Sequence, residues 1–211
     1  MKDAQGDPAY GRTNWRRFAV AVGVPTVVAG GLVVALANGA LAASFSVSGS
    51  QFKLSADKLV GQGFTQYSGT QTSVVNQTQT GKPYVIEAMS GIQHADIFGM
   101  CQSVAAGPVV LRIEAGGNNV PAHADDLLIG MSELSGDATF TGITIGQDAS
   151  TLDADGATTH GAAGGFGQQA TDVTITGLKQ KAWSTTASTF HLTGMSLKLY
   201  VGDSSKECYA D

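Results

Sequence analysis

The chain has 211 residues, of which only 14% are charged, and its formal net charge at pH 7 is −5. Four basic and two acidic residues fall within the first 42 positions, which leaves about −7 on residues 43–211. So few Lys and Arg residues argue against nucleic acid as a partner and against electrostatic docking on anionic lipid headgroups. Residues 43–211 are long enough for one domain with its own core.

The first 42 residues have the organisation of an export signal. A basic cluster precedes an uncharged apolar run over residues 18–37, and the run is followed by small residues. The basic cluster consists of Arg12, Arg16 and Arg17. Ala40 and Ala42 suit the narrow subsites of a signal peptidase, which predicts cleavage after Ala42 or Ala43 and an extracellular or cell-envelope location. The alternative is an uncleaved membrane anchor, because the apolar run reaches the ~20 residues of a spanning helix.

The two cysteines, Cys101 and Cys208, both follow the predicted cleavage site. Export would place them in an oxidising compartment, where disulfides persist. With only two cysteines the pairing is unique, so we predict one bridge between the C-terminus and the middle of the chain.

Apolar residues recur at alternate positions along residues 43–211, which predicts half-buried strands and a mainly β domain. The alternating stretches include Phe45–Val47, Phe52–Leu54, Val109–Ile113, Phe140–Ile145, Val173–Ile175, Phe190–Leu192 and Leu197–Val201. The best helix candidates, Gln102–Ala106 and Lys179–Trp183, are short and sustain no apolar stripe.

An apolar residue followed by Ser or Thr and then Gly recurs seven times, with glycines at 49, 69, 91, 136, 142, 177 and 194. Glycine reaches positive φ at little cost, so the pattern predicts strands joined by glycine bends. Asp57, Asp96, Asp125 and Asp172 recur between them and are predicted to hydrogen-bond backbone amides at corners. The domain is therefore expected to be a β-solenoid or a curved sheet folded over on itself, with a β-sandwich as the alternative.

Residues 153–169 are rich in Gly and Ala and nearly free of apolar anchors, which predicts a mobile surface loop. Asp148, Asp153 and Asp155 could offer oxygen ligands to calcium there. Their spacing lacks the regularity of an EF-hand, so no metal site is assigned.

Four sequence matches to hydrolase motifs lack their required context, and we assign no catalytic residue and no cofactor. Gly130–Leu134 and Gly194–Lys198 each lack the second glycine of a G-x-S-x-G elbow. Gly202–Ser205 imitates a Gly-Asp-Ser nucleophile block but no histidine follows it. Ser55–Lys58 satisfies S-x-x-K within an alternating strand rather than at the start of a helix.

The four histidines are His94, His123, His160 and His191. Only His94 and His123 have an acid close in sequence, namely Asp96 and Asp125, and surface ion pairing explains both. With no H-E-x-x-H motif and no close His or Cys pair, the sequence predicts no zinc site.

Several segments together resemble a family of exported actinobacterial proteins of unknown function, which genome annotation often labels "cholesterol esterase". The resemblance spans nearly the whole chain and is carried by Arg12–Phe18, Ala40–Gly49, Gly61–Tyr67, Ile145–Leu152, Phe166–Ala170 and Glu207–Cys208. It implies a secreted or cell-envelope setting and supplies no catalytic residues.

The favoured hypothesis is a non-enzymatic secreted or envelope protein that binds a lipid-like ligand or a surface partner. The alternatives are an esterase with an unrecognised active site and a structural protein that assembles with itself. The candidate apolar ligand face consists of Phe52, Leu54, Phe140, Ile143, Ile145, Phe190, Leu192, Leu197 and Leu199.

Overall fold

A computed structural model describes residues 50–72, 81–82, 84–158 and 160–210. The predicted export segment 1–42, its cleavage residues and the Phe45–Val47 stretch lie outside the described residues. In the described part of the chain, no helix has the length and apolar character needed to cross a membrane.

The described residues form one antiparallel sheet of nine strands, which confirms the mainly β prediction. The strands are β1 (Phe52–Thr72), β2 (Tyr84–Phe98), β3 (Met100–Ala106), β4 (Val109–Ala115), β5 (Ala122–Thr141), β6 (Thr144–Asp148), β7 (Phe166–Thr186), β8 (Thr189–His191) and β9 (Ser196–Val201). Two 3₁₀ turns, Ala149–Thr151 and Ser204–Lys206, are the only helical segments that the structure describes.

The four longest strands close on one another. Strand β1 pairs with β2 and β7, and β5 completes the circuit because it pairs with both of them. Bulges interrupt the β5–β7 register between Gly130 and Asp137. In this region the pairing of β5 with β2 ends, at Met131, while its pairing with β7 continues to Thr141. The result is a curved sheet folded over on itself, which is one of the two favoured architectures; the described residues form neither the parallel rungs of a solenoid nor the two sheets of a sandwich.

The core lies inside this closed circuit. Its buried members come from both the long strands and their neighbours, and they include Leu59, Ile92, Leu127, Val173 and Leu178. Inward side chains alternate with outward ones, as expected for strands with one buried face.

Four of the six described glycines in the repeated motif have the predicted positive φ, namely Gly136, Gly142, Gly177 and Gly194. The other two, at 69 and 91, are needed for close approach instead. A Cβ on Gly91 would overlap the Asp155 carboxylate, and one on Gly69 would overlap the Met89 side chain.

Beyond the circuit, β3, β4 and β9 form a three-stranded extension that we call the flap. Gly99, at φ 61°, separates β2 from β3, and both strands pair with β1 on the same side. Strand β4 follows as a hairpin, and β9 pairs with the far side of β4.

Neither helix candidate forms a helix, because Gln102–Ala106 lies in β3 and Lys179–Trp183 lies in β7. In the second segment Leu178, Gln180 and Ala182 are buried while the intervening lysines face outward. Pairing with β1 and β5 thus overrides the helix-favouring composition of the segment.

The predicted disulfide is present, with a Cα–Cα distance of 5.7 Å between Cys101 and Cys208. It attaches the C-terminal segment to β3. The Cys208 amide also donates to the Ser103 hydroxyl at 3.0 Å, so this segment covers one face of the flap.

Candidate functional site

The tripeptide His-Ala-Asp occurs twice, as His94–Asp96 on β2 and His123–Asp125 on β5. These strands are antiparallel neighbours, and the register places His94 opposite Asp125 and Asp96 opposite His123. The central alanines, Ala95 and Ala124, are 1% and 0% exposed. Because side chains alternate along a strand, all four polar residues point away from the core on one face.

The polar side chains contact one another both across the two strands and within the second tripeptide. His94 Nδ1 lies 2.7 Å from Asp125 Oδ1, and His123 Nδ1 lies 2.9 Å from Asp96 Oδ1. His123 Nε2 is also 3.1 Å from Asp125 Oδ1. Asp125 therefore lies between two imidazole rings.

This arrangement shifts the proton affinities of its members. The hydrogen bond with Asp96 is the largest cause that raises the pKa of His123, and the charge of Asp125 acts in the same direction. The hydrogen bond with His94 is the main cause that lowers the pKa of Asp125. In the structure as described, His123 is therefore favoured as an imidazolium and Asp125 as a carboxylate.

The ligand atoms of His94, His123 and Asp125 all lie within 4.8 Å of one another. Sequence spacing hid this group, because its histidines are 29 positions apart in the sequence and meet only through the β2–β5 register. The repeated tripeptide was the one available signal, since identical antiparallel segments place each histidine opposite an aspartate. The predicted backbone contacts of Asp96 and Asp125 are replaced by these histidine contacts.

A second His–Asp pair is buried. Asp155 accepts a hydrogen bond from the Thr65 hydroxyl at 2.6 Å and lies 2.8 Å from His160 Nε2. The ring of Tyr67 packs edge-on against that of His160, and burial together with Asp155 raises the pKa of Tyr67. Because Thr65 and His160 both bind the acid instead of each other, the group lacks the relay order of a catalytic triad.

This buried group anchors the segment that the sequence predicts to be a mobile loop. Its last four residues, 166–169, belong to β7, and the Gln169 side chain accepts hydrogen bonds from the amides of Asp153 and Ala154. The candidate calcium ligands face different partners: Asp148 binds the amides of Ser150 and Gly164, whereas Asp153 and Asp155 bind Gln169 and Thr65. Their carboxylates do not converge on one point.

The hydrolase-like serines are dispersed. Ser55 and Ser196 line an open, mostly polar recess of about 420 Å³ beside the disulfide, together with Arg112 and Glu114. None of the described residues that line the recess is a histidine. Ser132 is elsewhere and contacts the side chain of Gln51, and the Ser204 side chain lies outside the described part.

The structure divides the candidate apolar ligand face among several places. Leu54 is buried in the core, and Phe52, Phe140, Phe190 and Leu192 pack against it as partly buried side chains. Ile143 and Ile145 are exposed near β6, at one edge of the sheet, whereas Leu197 and Leu199 are exposed on β9 at the opposite edge. Whether any of these residues contacts a ligand stays a prediction.

The interior leaves little room for a ligand. The cavity inside the closed circuit is apolar and measures about 40 Å³, with Phe64, Ile129, Met131 and Phe140 among its lining residues. Pockets for small organic ligands usually measure ~300–1,000 Å³. An acyl chain therefore does not fit the interior in this conformation.

The flap carries an apolar face outward from the core. Directly opposed residues of antiparallel strands share a face, so two rows of side chains can be followed across the strands. One row runs through Leu54, Gln102, Ile113 and Leu197, and the next runs through Val104, Leu111 and Leu199. Exposure rises along the first row from 4% at Leu54 to 52% at Leu197.

We call this surface the flap face, and it consists of Val104, Val109, Leu111, Ile113, Leu197, Leu199 and Val201. Leu199 and Val201, on β9, are 65% and 76% exposed. Of the described strands, none pairs with the outer side of β9, which ends the sheet. An exposed apolar face thus reaches an open sheet edge, a combination that favours association with another chain.

Comparison with known proteins places the chain in a group without an assigned activity. The model of a family of unknown function, DUF6230, matches residues 48–209. No curated protein and no solved structure matches the chain.

Proposed function

We propose that this chain, which belongs to the DUF6230 family of unknown function, is an exported, non-enzymatic β protein that assembles with a second copy of itself through the flap face. The observation that carries the proposal is the apolar face that continues from the core to the open edge at β9. Export is supported by the order of basic, apolar and small residues in 1–42 and by the Cys101–Cys208 bridge.

The flap face is an apolar surface on a sheet and not a pocket. Its residues lie on three paired strands, whereas part of the opposite face is covered by the C-terminal segment around Cys208. A lipid-like molecule is normally held in a concave site that covers most of its surface. A flat apolar face is better matched by another protein surface.

The position of Leu199 favours a second copy as the occupant. Leu197, Leu199 and Val201 point to the same side of β9, with Leu199 at the centre. In an antiparallel pair of β9 strands with Leu199 opposite Leu199, each Leu197 meets the Val201 of its partner. The apolar rows then continue across a two-fold axis, and the open backbone edges of both strands are satisfied.

Analytical ultracentrifugation of the mature protein tests the assembly. We expect a monomer–dimer equilibrium, which Leu199→Asp weakens by roughly 30-fold or more, because a charge would be buried twice in the interface. Ile145→Asp is the matched control: Ile145 is 64% exposed, as Leu199 is 65% exposed, but lies on β6 at the other edge. Dimers that survive Leu199→Asp, or a wild type that stays monomeric at all concentrations, would contradict the proposal.

The export part of the proposal has a separate test. We expect protein secreted by its native host to begin at Ala43 or Ser44, because Ala40 and Ala42 occupy the small-residue positions before the cleavage site. N-terminal sequencing measures this directly. Recovery of the intact chain in the membrane fraction would instead show that residues 18–37 anchor the protein.

A further inference from the structure

The three side chains His94, His123 and Asp125 offer nitrogen and oxygen atoms that converge from two strands. One ligand atom from each residue lies within 4.8 Å of the others, and His94 Nδ1 and His123 Nε2 are 2.7 and 3.1 Å from Asp125 Oδ1. Metal ions with bonds of ~2.0–2.2 Å to His and carboxylate ligands hold such atoms about 3–3.5 Å apart. The nitrogen–oxygen distances of 2.7 and 3.1 Å in the observed group are close to that spacing.

We propose that His94, His123 and Asp125 bind one divalent transition-metal ion of the Zn²⁺ class on the outer face of the β2–β5 pair. Two imidazoles and one carboxylate form a set that suits Zn²⁺, Cu²⁺ or Ni²⁺ and disfavours Ca²⁺ and Mg²⁺, which take oxygen ligands. The ion would lie between His123 Nε2 and Asp125 Oδ1, which are 3.1 Å apart in its absence. Water completes the coordination on the exposed side.

Asp96 gives this group its orientation. It lies 2.9 Å from His123 Nδ1, so it can accept the proton of that nitrogen while Nε2 points toward Asp125. A carboxylate behind a ligating histidine fixes the ring and increases its basicity, and such partners recur at metal sites. Asp96 is therefore a positioning residue and not a ligand.

The backbone beneath the group is held firmly. Ala95 and Ala124 pack into the core between the polar side chains, and the β2–β5 register is unbroken from Ala122 to Met131 apart from the position opposite Gln93. A site on paired strands keeps its ligands closer to one geometry than a site on a loop does. The proposal does not depend on dimerisation, since the group lies on β2 and β5 and not on the flap.

Two more ionisable side chains flank the group. His191 on β8 is directly opposite His123, and Asp126 follows Asp125 at a positive φ of 49°. Neither belongs to the three-residue group. His191 therefore offers a matched control. The substitution His191→Gln removes an exposed imidazole from the same face without removing a proposed ligand.

Isothermal titration of Zn²⁺ into metal-free mature protein tests the proposal, with the absorption spectrum of the Co²⁺ form as a second measurement. We expect saturation at one ion per chain, and loss of saturation in both His94→Gln and His123→Gln. Asp96→Asn should weaken binding by about 10–100-fold and leave the Co²⁺ coordination spectrum in place, as expected for a positioning residue. His191→Gln should bind within about threefold of the wild type.

Two results would contradict the metal-site proposal. The first is the absence of saturable Zn²⁺ binding in the wild type. The second is an equal loss of binding in His191→Gln and His94→Gln, which would indicate adventitious capture by surface imidazoles. Circular dichroism of each variant separates loss of ligands from loss of fold, and Asp125→Asn repeats the test without removing a ring.

Discussion

Glu87 on β2 is the most unusual single residue in the described part of the chain. It is 2% exposed, and neither carboxyl oxygen has a hydrogen-bond partner. Its carboxyl group occupies the space that a Cβ at Gly130 would fill. Burial raises the pKa of Glu87 from 4.5 to about 7, so the side chain is largely protonated in mildly acidic solution.

This shift predicts a pH-dependent stability. Between pH 4.5 and about 7 the folded chain keeps the Glu87 proton while the unfolded chain releases it, so the contribution of Glu87 to stability is largest at low pH and falls as the pH rises. Relative to Glu87→Gln, the wild type should lose on the order of 2 kcal/mol of unfolding free energy across this window. Urea unfolding at several pH values measures the difference, and parallel profiles for the two proteins would contradict the prediction.

Individual residues also show how far sequence reasoning reaches. The Cys101–Cys208 pairing was predictable because the chain has only two cysteines. The contacts of His94 and His123 were not, because they depend on which strands become neighbours and in which register. The sequence places Asp155 in a predicted mobile loop. In the structure the hydroxyl of Thr65, 90 positions earlier, donates a buried hydrogen bond to the Asp155 carboxylate.

At the scale of elements, alternation identified most edge strands and the core strand β7, where apolar and polar residues take turns. It missed β2 and the first half of β5, whose inward positions include Ala95 and Ala124. Small inward residues give a weak periodic signal. They are needed there because the circuit is narrow and opposite strands approach closely.

The helix candidate at Lys179–Trp183 shows how local composition can point away from the strand that forms. Leu, Lys, Gln and Ala favour helices locally, but this segment is the part of β7 that pairs with β1 on one side and β5 on the other. Two hydrogen-bonded neighbours outweigh a propensity of a few tenths of a kcal/mol per residue. No single-segment argument contains that information.

At the scale of the whole molecule, the closed circuit and the flap have different roles. The circuit encloses the core around a cavity of about 40 Å³, while the flap continues the inner face outward to the edge at β9. The four long strands pair with one another, which leaves β6 and β9 as the two ends of the sheet, and the flap face reaches the end at β9. The group of His94, His123 and Asp125 lies on the circuit, so it can bind an ion whether or not the flap pairs with a second copy.

The central claim is that two copies pair through β9 with Leu199 facing Leu199. Directly opposed residues of antiparallel strands have Cα atoms about 4.5–5.5 Å apart, which is within the range that a disulfide spans. The native cysteines are already bridged to each other, so Leu199→Cys adds one free thiol. Oxidation of Leu199→Cys should give a disulfide-linked dimer, whereas Ile145→Cys on β6 should stay monomeric; a Leu199→Cys protein that does not cross-link, or cross-links no faster than Ile145→Cys, would contradict the account.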